Sequence, residues 1–204
     1  MRLLVASNNA KKLRELERIL AAAGIGRVEL VPLSGVPSYA EPVEDGRTFA
    51  ENALIKARAG ARETGLVTIA DDSGLAVAEL NGMPGVRSAR WSGGHGDDAA
   101  NNALLLAQLA DVPDKRRAAA FVSVCALVTP AGEEHLSEGR WEGRLLREEV
   151  GENGFGYDPL FLPGEETAGQ GRSAAQLSAA EKDALSHRGK ALTGLVEIIR
   201  GLAA

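Results

Sequence analysis

Leu66-Val67-Thr68-Ile69-Ala70-Asp71-Asp72-Ser73-Gly74-Leu75-Ala76-Val77-Ala78 decides how this chain is read. An apolar run of strand length ends on two adjacent carboxylates, and a second apolar run follows at once. Ser73-Gly74 therefore predicts the corner of a tight connection between the two runs. Strand ends are where open α/β sheets hold their ligands. Two acids side by side repel each other, which suits a cation held between them. Taken alone, the stretch fits equally a polar turn with one capping Asp.

Outward from that stretch, strands and helices alternate. Leu3 to Ala6 reads as a first strand, and Ala10 to Ala23 as a helix closed by Gly24, with Leu13, Leu16, Ile19 and Leu20 on one face. Val28 to Val31 predicts a second strand, and the proline-punctuated segment from Pro32 to Gly46 a loop. Thr48-Phe49-Ala50-Glu51 has the capping-box spacing, opening a helix that runs to Thr64 and stops at Gly65. After a glycine-rich loop from Gly82 to Gly96, Asp97 or Asp98 caps a helix through Leu109. Ala118 to Val128 reads as a long central strand partnered by Leu136 to Leu145. Ser178 caps a short helix, and Ser186 starts a last one ending near Arg200, with Leu185, Leu192, Val196, Ile199 and Ala203 as its inward stripe. This order predicts an α/β protein with a mixed sheet. No internal repeat and no linker divides it, so residues 1–204 read as one domain.

The bulk properties exclude several classes. The chain has 204 residues, 45% hydrophobic and 25% charged, ordinary for a globular protein with a full core. A net charge of -5 argues against a partner that is a nucleic-acid polymer, while leaving room for a single nucleotide. No apolar run approaches the roughly 18–20 residues of a membrane span. The N-terminus turns polar at Ser7, too early for a secretory leader. Cys125, the single cysteine, sits in an apolar run and reads as a core residue, so no disulfide framework forms and the expected compartment is the cytoplasm. His95, His135 and His187 lack metal-ligand spacing.

Four further segments carry candidate chemistry. Ser7-Asn8-Asn9-Ala10-Lys11-Lys12 joins a strand to a helix N-terminus, where free amides and a lysine can hold an anion; a plain N-cap with solvated lysines is the alternative. The usual phosphate-loop patterns are missing. Glu44-Asp45-Gly46 can bring a third carboxylate to Asp72, and Asn52 and Lys56, four apart, share a helix face that is otherwise simply solvated. In Asn153-Gly154-Phe155-Gly156-Tyr157-Asp158-Pro159 two glycines leave the Phe155 ring uncovered. That suits stacking on a nucleobase, worth about 1–3 kcal/mol, unless the ring tucks into the core. Lys182, Ser186, His187 and Arg188 gather donors around a helix junction that also reads as plain surface.

Taken in order, these segments resemble the Ham1-like family of inosine triphosphate pyrophosphatases. The matching pieces are Ser7-Asn8-Asn9 with Lys12; Thr48-Phe49 and Glu51-Asn52-Ala53 with Lys56-Ala57; Ala70 to Leu75; Gly154 to Pro159; and Glu181-Lys182 with Ser186-His187-Arg188. The resemblance implies an elongated mixed sheet flanked by helices, two lobes with the active-site cleft between them, a homodimer, a Mg²⁺ requirement, and hydrolysis of non-standard purine triphosphates with release of pyrophosphate. By the same resemblance, Asp72 is the catalytic carboxylate and a metal ligand, and Glu44 a second ligand. Ser7 to Lys12, Ser73, Phe155, Gly156, Tyr157, Asp158, Lys182, His187 and Arg188 are substrate contacts. Asn153 stands where glycine is commoner, Gln176 where Ala-Glu-Leu is usual, and Gly164 to Arg172 form a glycine-rich stretch.

The residues support a mechanism. A nucleoside triphosphate brings roughly four negative charges to an acidic protein, so Mg²⁺, Lys12, Lys56, Lys182 and helix-end amides must supply local positive charge. Asp72, Asp71 and Glu44 can hold the metal, and Asp72 orients or deprotonates the water that attacks the α-phosphorus. Donors from His187, Arg188 or backbone would favour a 6-keto purine over adenine. Two other readings fit less well: a Maf-like nucleotide pyrophosphatase, and a sensor that binds a nucleotide without cleaving it.

Overall fold

The computed structural model describes residues 1–167 and 171–204, apart from the side chains of Lys11, Glu166, Thr167, Ala179 and Asp183. The middle of the glycine-rich stretch from Gly164 to Arg172 thus lies outside the described residues. Among those described, six strands form one sheet: β1 (Arg2–Val5), β2 (Glu29–Pro32), β3 (Val67–Val77), β4 (Ala118–Val128), β5 (Glu134–Leu145) and β6 (Phe161–Pro163), in the order β2-β1-β3-β4-β5-β6. β1 runs parallel to β2, with Leu3 opposite Leu30, and parallel to β3, with Leu4 opposite Thr68. β5 and β6 are antiparallel, Arg144 facing Leu162, so the sheet is mixed. β4 is buried from Ala119 to Val128, the mark of a strand covered on both faces.

The helices follow from local signals. α1 (Ala10–Ala22) buries Leu16 and Leu20 and stops before Gly24, which takes a positive φ of 70°. α2 (Phe49–Thr64) opens on the capping box: Glu51 N–H donates to Thr48 Oγ1 at 3.1 Å and Thr48 N–H to Glu51 Oε2 at 3.0 Å. Gly65 closes it in the left-handed region. α3 (Asp98–Gln108) is capped by Asp97, whose side chain accepts from Ala100 N–H. α4 (Gly164–Thr167) is one turn, and α5 (Ala179–Leu185) carries the Ser178–Glu181 capping box.

Two expectations are corrected. Ser73-Gly74 is not a corner, because β3 continues through Asp71-Asp72-Ser73-Gly74 to Val77. Glycine is needed at 74 for close approach: a Cβ there would collide with Ser88 Oγ and Gly85 O, and Ser88 Oγ accepts from Leu75 N–H at 2.9 Å. The last helix is two, α6 (His187–Gly194) and α7 (Val196–Leu202), separated at Leu195. Gly194 packs on Ser137 where a side chain would clash, and Leu195 N–H bonds back only three residues to Leu192 O. Leu192, Val196 and Ile199 are buried as expected, whereas Leu185 packs into a different core.

Packing divides the chain into two compact units. The first comprises residues 1–72, 123–139 and 188–204. Its core joins Leu3, Val5, Leu16, Leu20, Ile69, Cys125, Leu127, Leu192, Leu195 and Ile199, with an alanine-rich cluster of Ala6, Ala53, Ala57, Ala61, Ala70 and Ala126. The second comprises residues 73–122 and 140–187. Its core is richer in rings, with Phe121, Trp141, Tyr157 and Phe161 among Leu75, Val77, Leu105, Leu109, Leu145 and Leu160. Among the described residues no helix is long and apolar enough to cross a membrane.

Candidate active site

In the first unit, β3 delivers Asp71 and Asp72 side by side, and their side chains leave on opposite faces of the strand. Asp71 is buried. Its Oδ2 takes Lys12 Nζ at 2.9 Å and Arg188 Nε at 3.2 Å. Arg188 also reaches Glu15 Oε2 through Nη1 at 3.5 Å, so two buried acids are met by two half-buried bases. A cavity of about 20 Å³, room for roughly one water, is lined by Ser7, Lys12, Asp71, Cys125 and Arg188. Burial pushes the Asp71 carboxyl up, but the charges of Lys12 and Arg188 outweigh it and hold the group well below the usual carboxylate range. Cys125 is fully buried, as a core residue should be, and burial pushes its thiol up.

Asp72 stands in other company. Asn52 Nδ2 donates to its Oδ2 at 3.1 Å, while Asn52 Oδ1 accepts from Gly46 N–H at 2.9 Å, which fixes the orientation of the amide. Lys56 Nζ lies 3.8 Å from Asp72 Oδ1 and 2.8 Å from Glu44 Oε2. The capping box sets this geometry by starting α2 where Asn52 and Lys56 fall on one face. Burial raises the Asp72 pKa above its ordinary value, with Glu44 and Asp71 adding to the rise against Lys56 and Asn52. Adjacent carboxylates are thus driven in opposite directions, one locked as an anion and one kept easy to protonate.

Among the described residues no three of His, Cys, Asp and Glu stand together as a metal cage. Magnesium does not ask for one: it takes one or two carboxylates and fills its shell with water and phosphate oxygens. Asp72 and Glu44 are two hard oxygen donors, and the Lys56 ammonium now bridges them as a cation. The residues fit a magnesium ion at Asp72 and Glu44.

At the start of α1, Ser7 is half-buried and Asn8, Asn9 and Ala10 are exposed. Ser7 Oγ accepts from Asn9 N–H at 3.1 Å. The Lys11 side chain lies outside the described residues.

In the second unit, Phe155 is 54% exposed, so its ring is not tucked into the core. Lys182 Nζ sits 4.9 Å from the ring centroid and also bonds Asp158 Oδ2. Asp158 is buried and accepts from Phe155 N–H at 2.8 Å. Tyr157 lies beneath the turn, buried in the ring-rich core, and donates its hydroxyl to Ser88 O at 2.8 Å; burial raises its pKa. Gly156 N–H donates to Asp98 Oδ2 at 2.7 Å. His187 is half-buried with its ring stacked on Phe121, 5.2 Å between centroids. Ser73 is half-buried on β3.

The expected residues therefore gather as three groups: Lys12 with Asp71 and Arg188, Glu44 with Lys56 and Asp72, and Phe155 with Asp158 and Lys182. His187 belongs with Phe121. Sequence reasoning did not place Glu15 or Asp98 in a site, and it gave Asn52 no role. Glu15 did carry a signal, an acid set against the apolar stripe of α1.

The model of the Ham1 family matches residues 3–198. The chain belongs to the Ham1 family. This match removes the Maf-like alternative. Among curated Ham1-type relatives, the dITP/XTP pyrophosphatase of Corynebacterium glutamicum is 70% identical over 204 residues, spanning 100% of this chain and 99% of that protein. The dITP/XTP pyrophosphatase of Mycobacteroides abscessus is 61% identical over 202 residues, 99% of this chain and 96% of the relative. A crystal structure of a nucleoside-triphosphatase, dITP/XTP pyrophosphatase, from Mycobacterium abscessus superposes with TM-score 0.82 at 62% identity, covering 98% of this chain and 100% of that one. The Staphylococcus aureus Ham1 protein gives TM-score 0.87 at 35% identity over 99% of this chain and 100% of that one. The mixed sheet flanked by helices is thus the Ham1 fold.

Proposed function

We propose that this chain is a magnesium-dependent pyrophosphohydrolase that cleaves ITP, dITP and XTP to the nucleoside monophosphate and pyrophosphate. That it is a nucleoside-triphosphate hydrolase rests on relatives of 70% identity over the full length, named dITP/XTP pyrophosphatases. The observation that carries the mechanism is the split between Asp71 and Asp72.

Asn52 donates to Asp72 Oδ2, so we assign the attacking water to Oδ1, on the side of Lys56. The water oxygen bonds the α-phosphorus, its proton passes to Asp72 Oδ1, and the α–β bridging oxygen leaves with pyrophosphate. A carboxylate whose pKa is raised takes that proton more readily than an ordinary one. When bound at Asp72 and Glu44, Mg²⁺ supplies neutralising charge and lowers the pKa of a coordinated water.

Charge bookkeeping supports the metal. Glu15, Glu44, Asp71 and Asp72 outnumber Lys12, Lys56 and Arg188, so this cluster cannot by itself offset the roughly four charges of a triphosphate. Lys12 and Lys56 serve the phosphates, and Asp71 holds Lys12 and Arg188 in place. In the second unit the exposed Phe155 ring offers a base-stacking surface, and Lys182 beside it a further cation. His187 and Arg188 are the donors we assign to the 6-keto group. The same reading makes the working form a cytoplasmic homodimer; a purified protein sedimenting at the 21.3 kDa of one chain would remove the dimer.

The experiment incubates the protein with ITP, XTP, ATP and dTTP plus Mg²⁺ and separates the products. Monophosphate and pyrophosphate from ITP and XTP, with ATP and dTTP slower by ~10²-fold or more, support the reading. Equal rates on ATP overturn the base selection, release of inorganic phosphate overturns the cleavage site, and binding without turnover makes the protein a sensor.

A further inference from the structure

Phe155 is more than half exposed, with the Lys182 ammonium 4.9 Å from its ring centroid. The conformation of its backbone therefore matters to where the ring stands. Gly154 and Gly156, on either side, take positive φ values of 83° and 62°, a conformation with no regular ladder to fix it.

The polar groups around the ring are nevertheless paired. Phe155 N–H goes to Asp158, as described above. For the next residue both polar groups are taken by one face of α3: Gly156 N–H donates to Asp98 Oδ2 at 2.7 Å, and Gly156 O accepts from Asn102 Nδ2 at 3.2 Å. Asp98 and Asn102 are four apart and so stand one above the other on that face. Asn102 is only 3% exposed, and its Oδ1 has no hydrogen-bond partner among the described residues. A buried amide with one end unsatisfied is costly, and a leucine would fill such a helix position without that cost. What the amide gives in return is the bond to Gly156 O.

We propose that Asp98 and Asn102 are positioning residues that tie down the two peptide groups flanking the Gly156 Cα and so hold the Phe155 ring where a purine can stack on it. The clamp rests on the reading of Phe155 as the base platform. It acts on substrate affinity rather than on the phosphoryl step, because its bonds go to the backbone beside the ring.

The test measures ITP hydrolysis with Mg²⁺ by the full chain carrying Asp98→Ala, Asp98→Asn, Asn102→Leu, Phe155→Ala, or Asp98→Ala with Phe155→Ala. Asp98→Ala is expected to raise KM about 10-fold with kcat within about 3-fold, since one charge-assisted bond is lost. Asp98→Asn keeps an acceptor for Gly156 N–H and returns KM to within about 3-fold of wild type. In the Phe155→Ala background, Asp98→Ala has no further effect, because there is no ring left to position. An unchanged KM in Asp98→Ala, or a full additive effect without the ring, overturns the clamp. A folded Asn102→Leu with wild-type KM removes Asn102 from it; should that variant not fold, the exposed Asp98 decides alone. Wild-type KM in Phe155→Ala sinks the base platform and the clamp together. A raised KM there with none in Asp98→Ala sinks the clamp only.

Discussion

The carboxylate cluster of the first unit and the phenylalanine turn of the second each depend on a buried aspartate, but use it differently. Asp71 is surrounded by side-chain charge, Lys12 and Arg188, and its purpose is to keep those cations fixed. Asp158 faces a backbone amide as well as Lys182, and its purpose is to shape a turn. On the proposed function, a polyanion would be met by charge carried on a strand and three helices, where positions are stiff. A flat base would be met by a ring whose neighbouring peptides are tied down one by one. Charge needs compensation, and a surface needs only orientation.

Breaking the first region should cost most. Asp72→Asn is expected to lower kcat by at least ~10³, about 4 kcal/mol, with the fold intact. Because burial disfavours its charge, the same change should leave the melting temperature unchanged or higher. Asp71→Ala should act on stability as well: it takes away the buried carboxylate that Lys12 and Arg188 share, a loss of about 3 kcal/mol read by denaturant unfolding. Breaking the second region is milder. Phe155→Ala is expected to raise KM about 10-fold with little change in kcat, the value of one lost stack. Smallest is Thr48→Ala, which removes the N-cap of α2 for about 1 kcal/mol of stability, measured in the same unfolding assay.

The pH dependence separates the two acids by sign. Asp72 has a raised pKa, so kcat should fall with acidity from above the ordinary carboxylate range. Asp71 has a lowered pKa, so its stabilisation is fully present above the unfolded-state value and is lost only as pH falls through the much lower folded one. Activity should therefore fail at a pH where thermal unfolding still shows a stable protein. Coincident loss of both would contradict the division.

The helix boundaries were legible where the chain signals locally. Thr48, Glu51 and Gly65 mark both ends of α2 in sequence, and the structure keeps them. Gly74 misled because a glycine after two polar residues looks the same whether it turns the chain or admits Ser88. The break at Leu195 follows from Gly194 meeting Ser137, a contact made far from either in sequence. The same distance hid Asp98 and Glu15: each meets its partner across dozens of residues, and no spacing rule reaches that far. Asp72, Lys56, Lys12 and Phe155 stand in short local patterns that a sequence displays: paired acids after an apolar run, the four-residue spacing behind a capping box, a strand-to-helix junction, and flanking glycines.

The division of labour between the adjacent acids is tested most directly by following both side-chain carboxyl carbons of the folded protein by NMR titration. Asp72 should titrate above the ordinary aspartate value, while Asp71 stays ionised well below it. The reverse order, or two carboxyls titrating together near the ordinary value, would contradict the mechanism.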